Sequence, residues 1–230
     1  MKKTIFYSIA ILTIVWQFIG CSREQVNQQT LENLKKSLVR EISTRETYKA
    51  YTNQAEKEHL HQVARLFKAL SIGENVHASN YINLLKSLDQ DITSIDPFIV
   101  LDSTRFNLQN SIKEELFEID SVYPVLLMGK FPSQTEKKIS DVYRHTWEAE
   151  KSHKSLLLMI YDFFVSEAPK NIEKSEATLP SQNYLQKLDS DFLEKVYYVC
   201  PVDGKIFDSQ NVPESCNICK TPKSKLIKVE

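Results

Sequence analysis

The sequence predicts an all-α protein, a four-helix bundle that carries a small metal-knuckle segment at its C-terminus. Three observations lead there. Apolar residues recur at helical spacing over four long stretches. Only four of the 230 residues are glycine, which suits long helices and argues against a loop-rich β protein. Two Glu-x-x-His segments, Glu74 to His77 and Glu150 to His153, lie 76 positions apart, and each follows a helical stretch with a lone candidate glutamate, Glu41 or Glu115. One Glu from each of two helices, with a Glu-x-x-His pair from each of the other two, is how a four-helix bundle builds a carboxylate-bridged di-metal centre.

The first 20 residues stand outside this fold. Lys2 and Lys3 precede a nearly uninterrupted apolar run from Thr4 to Gly20, and polar Ser22-Arg23-Glu24 follows Cys21. This is export-signal composition. Phe18-Ile19-Gly20-Cys21 resembles a bacterial lipoprotein signal, in which Cys21 is lipidated and becomes the mature N-terminus; an uncleaved membrane anchor is the other reading. Either places the body of the protein in the cell envelope, membrane-anchored and facing the periplasm or the outside. Several acyl chains would make that attachment stable. Residues 21–30 are polar and read as a tether.

The bundle is expected over residues 31–167. Leu34, Leu38, Ile42, Tyr48, Tyr51 and Ala55 form an apolar stripe over roughly 31–54, with Glu41 beside it. A second helix is expected from about Leu60 to Leu88. Ser94-Ile95-Asp96-Pro97 breaks helix, so 89–103 is a connection long enough to cross a bundle end. The third helix starts near Ser103-Thr104, both suitable N-caps, and runs to about Met128, with Pro124 expected to kink or end it. A turn over 129–133 leads to the fourth helix, from about Gln134 to Val165. Residues 168–192, rich in Pro, Lys, Glu, Ser and Asn, read as a linker with a short helix near its end, and 193–230 form the tail.

Residues i and i+3 of a helix share a face, about 4.5 Å apart along the axis, so a Glu-x-x-His pair can grip one metal ion or two neighbouring ones. Mixed carboxylate and imidazole ligands suit iron or manganese. A single pair means little here, because four of the five histidines have Glu three residues before them. Glu56/His59 and Glu58/His61 fall in a polar run that reads as a solvated turn. The pairs at 74 and 150 differ in being flanked by Phe67, Leu70, Tyr81 and Leu84, and by Val142, Leu156, Leu157 and Ile160. A charged pair on such a face needs a partner or a metal. The two halves match as an internal duplication, and the second adds Glu118, three residues after Glu115. The candidate ligands are therefore Glu41, Glu74, His77, Glu115, Glu118, Glu150 and His153. A bundle core with hydrogen-bonded Glu/His pairs is the alternative.

In the tail, Cys216-x-x-Cys219 has metal-knuckle spacing, and Cys200-x-x-Asp203-Gly204 looks like a matching knuckle whose second Cys is Asp. So short a segment cannot bury a core by itself, and a metal held by three thiolates and one carboxylate is its natural staple. Iron and zinc both fit; a Cys216–Cys219 disulfide formed after export is the bland reading. The net charge of −1 offers no argument for a nucleic-acid partner.

At these positions the chain resembles the rubrerythrins, which join a ferritin-like di-iron bundle to a C-terminal rubredoxin-like iron domain. The likeness runs over about residues 31–165 and 197–226. It rests on Glu41-x6-Tyr48, Glu74-x-x-His77-Ala78, Glu115-x-x-Glu118 followed by Tyr123-Pro124, Glu150-x-x-His153, Cys200-x-x-Asp203-Gly204 and Pro213-Glu214-x-Cys216-x-x-Cys219-x-x-Pro222. By that resemblance Glu41, Glu74, Glu115, Glu118, Glu150 and His153 would be di-iron ligands. His77 would replace a carboxylate on one iron when the site is reduced. Tyr48 and Tyr123 would donate hydrogen bonds to ligand carboxylates, ordinary core tyrosines being the other reading.

The implied activity is that of a non-haem di-iron peroxidase, which reduces hydrogen peroxide to water in oxidative-stress defence. It would hold two iron ions in the bundle and one iron or zinc ion in the tail, and would be re-reduced through the tail or by an external electron carrier. A homodimer, with one chain's tail approaching the other's bundle, comes with the family. Two departures matter. Asp203, a harder oxygen ligand, should shift the potential of the tail site and weaken iron retention. The lipoprotein-like N-terminus puts the protein beyond cytosolic NAD(P)H, so its unknown electron donor would be an envelope carrier. Two other functions compete: a ferroxidase or metal-handling protein that uses oxygen, and a non-enzymatic envelope interaction module with no metal in its bundle.

Overall fold

A computed structural model of the chain describes residues 26–166 and 195–230. The signal segment, Cys21, most of the tether and the linker with its expected short helix lie outside the described residues. Five α-helices and one π-helical turn make the bundle: α1 (Gln28–Lys57), α2 (His61–Ser87), α3 (Thr104–Phe117), the π turn (Glu118–Val122), α4 (Tyr123–Leu127) and α5 (Gln134–Ser166). Among the described residues no helix is long and apolar enough to cross a membrane.

Local chemistry sets the boundaries. Asn27 caps α1 by accepting from the Thr30 N–H at 2.8 Å. His59 takes a φ of 59° in the α1–α2 turn. His59 and His61 are exposed there, as the polar run predicts, but His61 pairs with Glu56 at 2.8 Å. Glu58 has another task. Its two carboxylate oxygens accept from the Thr104 N–H at 3.2 Å each, so α3 is capped from the α1–α2 turn while the Ser103 side chain makes no cap. A carboxylate at a helix N-terminus meets the positive end of the helix dipole.

Pro124 acts as expected, through a specific device. The Tyr123 N–H bonds back to the Glu118 carbonyl, five residues away, instead of to Ile119. Pro124 has no N–H to offer Ile119 in its place. The Trp147 indole N–H takes up that carbonyl at 2.9 Å. The third helix of the sequence pattern thus becomes α3, the π turn and α4.

The core falls into two apolar clusters. Leu34, Leu38, Tyr81, Leu85, Tyr123 and Tyr143 belong to one. Tyr48, Phe67, Leu70, Leu157 and Ile160 belong to the other. Side chains such as Phe67 and Leu70 are 0% exposed, and each such burial stabilises the fold by about 1.5–3 kcal/mol. Glu41, Glu74 and Glu150 sit at helix positions between the two clusters.

The tail is a three-stranded antiparallel sheet, order β2-β1-β3, from β1 (Tyr197–Val199), β2 (Ile206–Asp208) and β3 (Ile227–Val229). It is not a free appendage. Tyr197, Val199, Ile206 and Val229 share one buried cluster with Phe67 and Leu70 of α2 and Leu157 of α5. A segment too small for its own core borrows the outer face of the bundle.

Candidate metal centres

Four helices bring one glutamate or one Glu/His pair each to the middle of the bundle. Two groups of donor atoms converge there, each within 4.8 Å: Glu41, Glu74, His77 and Glu150 in one, and Glu74, Glu115, Glu150 and His153 in the other. Glu74 and Glu150 belong to both, the arrangement expected of carboxylates that bridge two ions. All six residues are at most 3% exposed.

The two histidines are oriented alike. His77 Nε2 lies 2.9 Å from the Asp203 carbonyl, and His153 Nε2 lies 3.1 Å from the Gly204 carbonyl. Donation at Nε2 leaves Nδ1 of each neutral ring as the inward lone pair. His77 Nδ1 lies 2.9 Å from Glu150 Oε1 and 3.3 Å from Glu41 Oε2. His153 Nδ1 lies 2.8 Å from Glu150 Oε2 and 3.0 Å from Glu74 Oε1.

These atoms are close, yet many are not hydrogen-bonded. Glu41 Oε2, Glu74 Oε1, Glu115 Oε2, Glu118 Oε2, both Glu150 oxygens and His153 Nδ1 are buried without a hydrogen-bond partner. Donors that crowd one volume without aligning on one another fit cations shared between them, and leaving them unpaired costs free energy. The residues present therefore fit a di-metal centre.

Electrostatics agree. Burial raises the Glu41 carboxyl from 4.5 to about 8. Burial, reinforced by neighbouring carboxylates, pushes Glu115 and Glu118 well above the ordinary range. Burial would also raise Glu150, but His77 and His153 outweigh it and hold Glu150 low. Burial opposes the charge on His153; Glu150 and Glu74 overcome it and lift the group to about 10. The metal-free centre thus keeps protons that metal ions would displace.

The tyrosines expected beside the ligands are there, and they cross over. Tyr48 Oη of α1 donates to Glu115 Oε1 of α3 at 2.6 Å, and Tyr123 Oη of α4 donates to Glu41 Oε1 of α1 at 2.6 Å. Tyr81, read from the sequence only as an apolar flank, donates to Tyr123 Oη at 3.3 Å. Glu118 is the exception among the expected ligands. It is buried, but neither donor group includes it.

The second site lies in the tail. Cys200, Asp203, Cys216 and Cys219 converge within 4.8 Å, and the three thiols are free, with no Cys216–Cys219 disulfide. Cys216 Sγ is 3.0 Å from Asp203 Oδ2, and Asp203 Oδ1 accepts from the Lys205 N–H at 3.0 Å. Hydrogen bonding from Cys200 brings Cys216 down to about 7, so a metal-binding thiolate is available near neutral pH. Three sulfurs and one oxygen suit iron or zinc.

Two glycines let the sites meet. At Gly204, with φ +78°, an added Cβ would lie 2.3 Å from His77 Nε2; at Gly73 it would lie 2.9 Å from His153 Nε2 and from the Gly204 carbonyl. Sequence reasoning missed Gly73. Its signal was available, a glycine inside a strongly helical stretch one residue before Glu74.

Comparisons with known proteins point one way. Residues 32–161 match the rubrerythrin family. The chain is 30% identical to rubrerythrin-2 of Clostridium acetobutylicum over 202 residues, covering 86% of this chain and 96% of that protein. It is 24% identical to nigerythrin of Nitratidesulfovibrio vulgaris over 197 residues, covering 84% and 83%. The fold matches the mixed-valent state of nigerythrin with a TM-score of 0.67 at 22% identity, covering 98% of this chain and all of that one. The fully reduced, all-ferrous state gives 0.66 at 21%, with the same coverage.

Proposed function

The chain belongs to the rubrerythrin family, and from that premise we propose that it is a non-haem di-iron peroxidase that reduces hydrogen peroxide to water in oxidative-stress defence. The observation that carries the reading is the pair of convergent donor groups sharing Glu74 and Glu150, with buried oxygens that have no hydrogen-bond partner among the described residues. Two ferrous ions held there would supply one electron each to the O–O bond, which with two protons leaves as two waters.

The chain's own residues prepare that step. Glu74 and Glu150, which belong to both donor groups, would be shared by the two ions, and Glu41 with His77 and Glu115 with His153 would complete the two sets. The Asp203 and Gly204 carbonyls fix both imidazoles with Nδ1 inward. Tyr48 Oη and Tyr123 Oη hold their protons against Glu115 and Glu41, orienting each carboxylate. Burial pushes both phenols well above their usual range, so they stay donors at neutral pH. The two apolar clusters exclude bulk water.

The tail metal, iron or zinc, would sit on Cys200, Asp203, Cys216 and Cys219. Were it iron, Asp203 would join the two sites, with its carboxylate in the tail cluster and its carbonyl on His77. The export-signal composition of residues 1–20 supports an envelope lipoprotein anchored through Cys21, supplied by an envelope electron carrier. A homodimer belongs to the same reading, but not with the tail crossing to a partner's bundle as expected, since here the tail packs on α2 and α5 of its own chain.

The test is stopped-flow absorbance on residues 22–230, loaded anaerobically with ferrous iron and mixed with hydrogen peroxide or with dissolved oxygen. Fast oxidation by peroxide and slow oxidation by oxygen is the expected result. Preference for oxygen would replace the peroxidase by a ferroxidase or oxidase. Failure to bind two irons per bundle would sink both and leave an interaction module.

A further inference from the structure

The two long faces that flank the bundle centre are unlike. The tail sheet covers one, on α2 and α5. On the other, between α1 and α3, a cavity of about 420 Å³ opens beside the connection 89–103, a volume in the range that holds a small ligand. Tyr48 lines it. That side chain is 1% exposed, and its Oη donates to Glu115 Oε1 at 2.6 Å. One phenol therefore separates the cavity from a carboxylate of the second donor group. Tyr51 lies edge-on to Tyr48, with ring centroids 6.4 Å apart, and lines the cavity as well. Phe98, from the connection, borders the same space and is 90% exposed. Thr47 and Asn110 add a hydroxyl and an amide to the walls, and Glu114 adds a carboxylate. Aromatic surfaces with a few polar groups between them suit a flat ring that carries hydroxyls.

We propose that this cavity is a binding site for a small hydroquinone, which re-reduces the bundle centre from the face opposite the tail. The assignment rests on the di-iron reading and gives it a reductant of stated chemistry. The stoichiometry matches. Peroxide takes up two electrons and two protons as its O–O bond breaks to leave two waters. A hydroquinone releases two electrons and two protons as its two O–H bonds break and it becomes a quinone. The electrons return two ferric ions to ferrous through Tyr48 and Glu115, and the protons leave through Glu114 and the water of the open cavity. The sum is hydroquinone plus hydrogen peroxide giving quinone plus two waters. A tail cluster with one metal passes a single electron at a time, whereas a ring seated here holds both.

The test uses tetramethylhydroquinone under anaerobic conditions, because its oxidised ring has no free position for a thiol to attack. Titrated into the metal-free mature chain, it should bind once, with NMR shifts confined to α1, residues 98–100 and α3. Phe98→Ala alters an exposed side chain and should weaken binding roughly fivefold, the scale of one aromatic contact. Thr47→Trp fills the cavity and should abolish binding. Met128→Ala, an exposed residue outside the cavity, should leave the affinity as it is. In diferric protein whose tail is disabled by Cys216→Ser, the rate of reduction should saturate with hydroquinone, and Phe98→Ala should raise the half-saturating concentration by the same factor. No binding to the metal-free chain, equal affinity in Phe98→Ala and Thr47→Trp, or a reduction rate that rises linearly without saturating would overturn the assignment. Failure of the bundle to take up iron would instead sink the di-iron reading, and the metal-free titration would still decide whether the cavity holds the ring.

Discussion

The centre of the bundle and the cluster in the tail are built by opposite strategies. The bundle centre draws its donors from α1, α2, α3 and α5, up to 112 positions apart from Glu41 to His153, and every one is buried. The tail cluster draws on two short turns within 20 positions, from Cys200 to Cys219, and Cys219 remains partly exposed. A site assembled from helices inherits the rigidity of the whole core, so its carboxylates can be held close although metal-free they oppose one another. A site made of two loops has little core of its own, and here it leans on α2 and α5. The two meet at Asp203-Gly204, where one turn of the tail supplies a candidate ligand to its own cluster and carbonyl acceptors to both histidines of the other.

The contrast breaks most sharply at Glu150, which belongs to both donor groups of the bundle. Glu150→Ala should abolish iron binding in the bundle and leave the tail metal in place, as metal-to-protein ratios would show. It should also cost the metal-free fold about 3–5 kcal/mol, because two buried histidines lose their common partner. An unchanged ratio would mean that the donors do not act as one centre.

Asp203→Cys probes the other side. A fourth thiolate should strengthen iron retention in the tail and intensify the thiolate-to-iron absorption in the visible, with no change in the bundle's metal content. Equal iron retention in both forms would show that the carboxylate is no handicap.

Gly204→Ala attacks the junction. A side chain at φ +78° is strained, by about 1–3 kcal/mol, and its Cβ would collide with His77 Nε2. The tail should separate from α2, read as faster amide exchange over residues 197–208, while re-reduction slows more than the first oxidation by peroxide.

A smaller effect lies in pH. Folded Glu41 is raised to about 8 and folded His153 to about 10, above their ordinary 4.5 and 6.5. Each binds its proton more tightly in the folded state, so its stabilisation is complete below the ordinary value and lost as pH rises through the folded one. Glu74 and Glu150, held low, are ionised in both states above neutrality and add no slope. Melting of the metal-free protein should therefore fall in temperature from pH 6.5 to 10, and the metal-loaded protein should show a flatter profile. Parallel profiles would argue against proton displacement by the metals.

The smallest expected change is Tyr48→Phe, which removes one donor to Glu115 at a cost of about 1–3 kcal/mol for the unsatisfied oxygen. Faster loss of iron in a chelator assay, with the fold intact, would separate an orienting tyrosine from a mere core residue.

Much of this was legible beforehand because helices repeat. Glu74 and His77, or Glu150 and His153, three apart on one helix, must share a face, and the apolar residues around them say that the face is inward. The same logic located Pro124 as a break and the Cys-x-x-Cys turn as a knuckle. It could not see across helices. Glu118 satisfies the same spacing as the residues that converge, yet neither donor group includes it. Glu58 lies in a polar run that predicts a solvated turn, yet it caps α3, because the α1–α2 turn lies against that helix start.

The sequence by itself therefore determined the order of the four helical stretches, the face each donor occupies and the membership of the tail cluster, since all of these follow from periodicity and short spacing along one backbone. Only the tertiary structure decided which carboxylates are shared, which tyrosine serves which glutamate, and that Gly73 and Gly204 let the tail carbonyls reach the histidines. Those depend on distances between separate elements, and such distances are set by side-chain packing across the whole core, which no local pattern encodes.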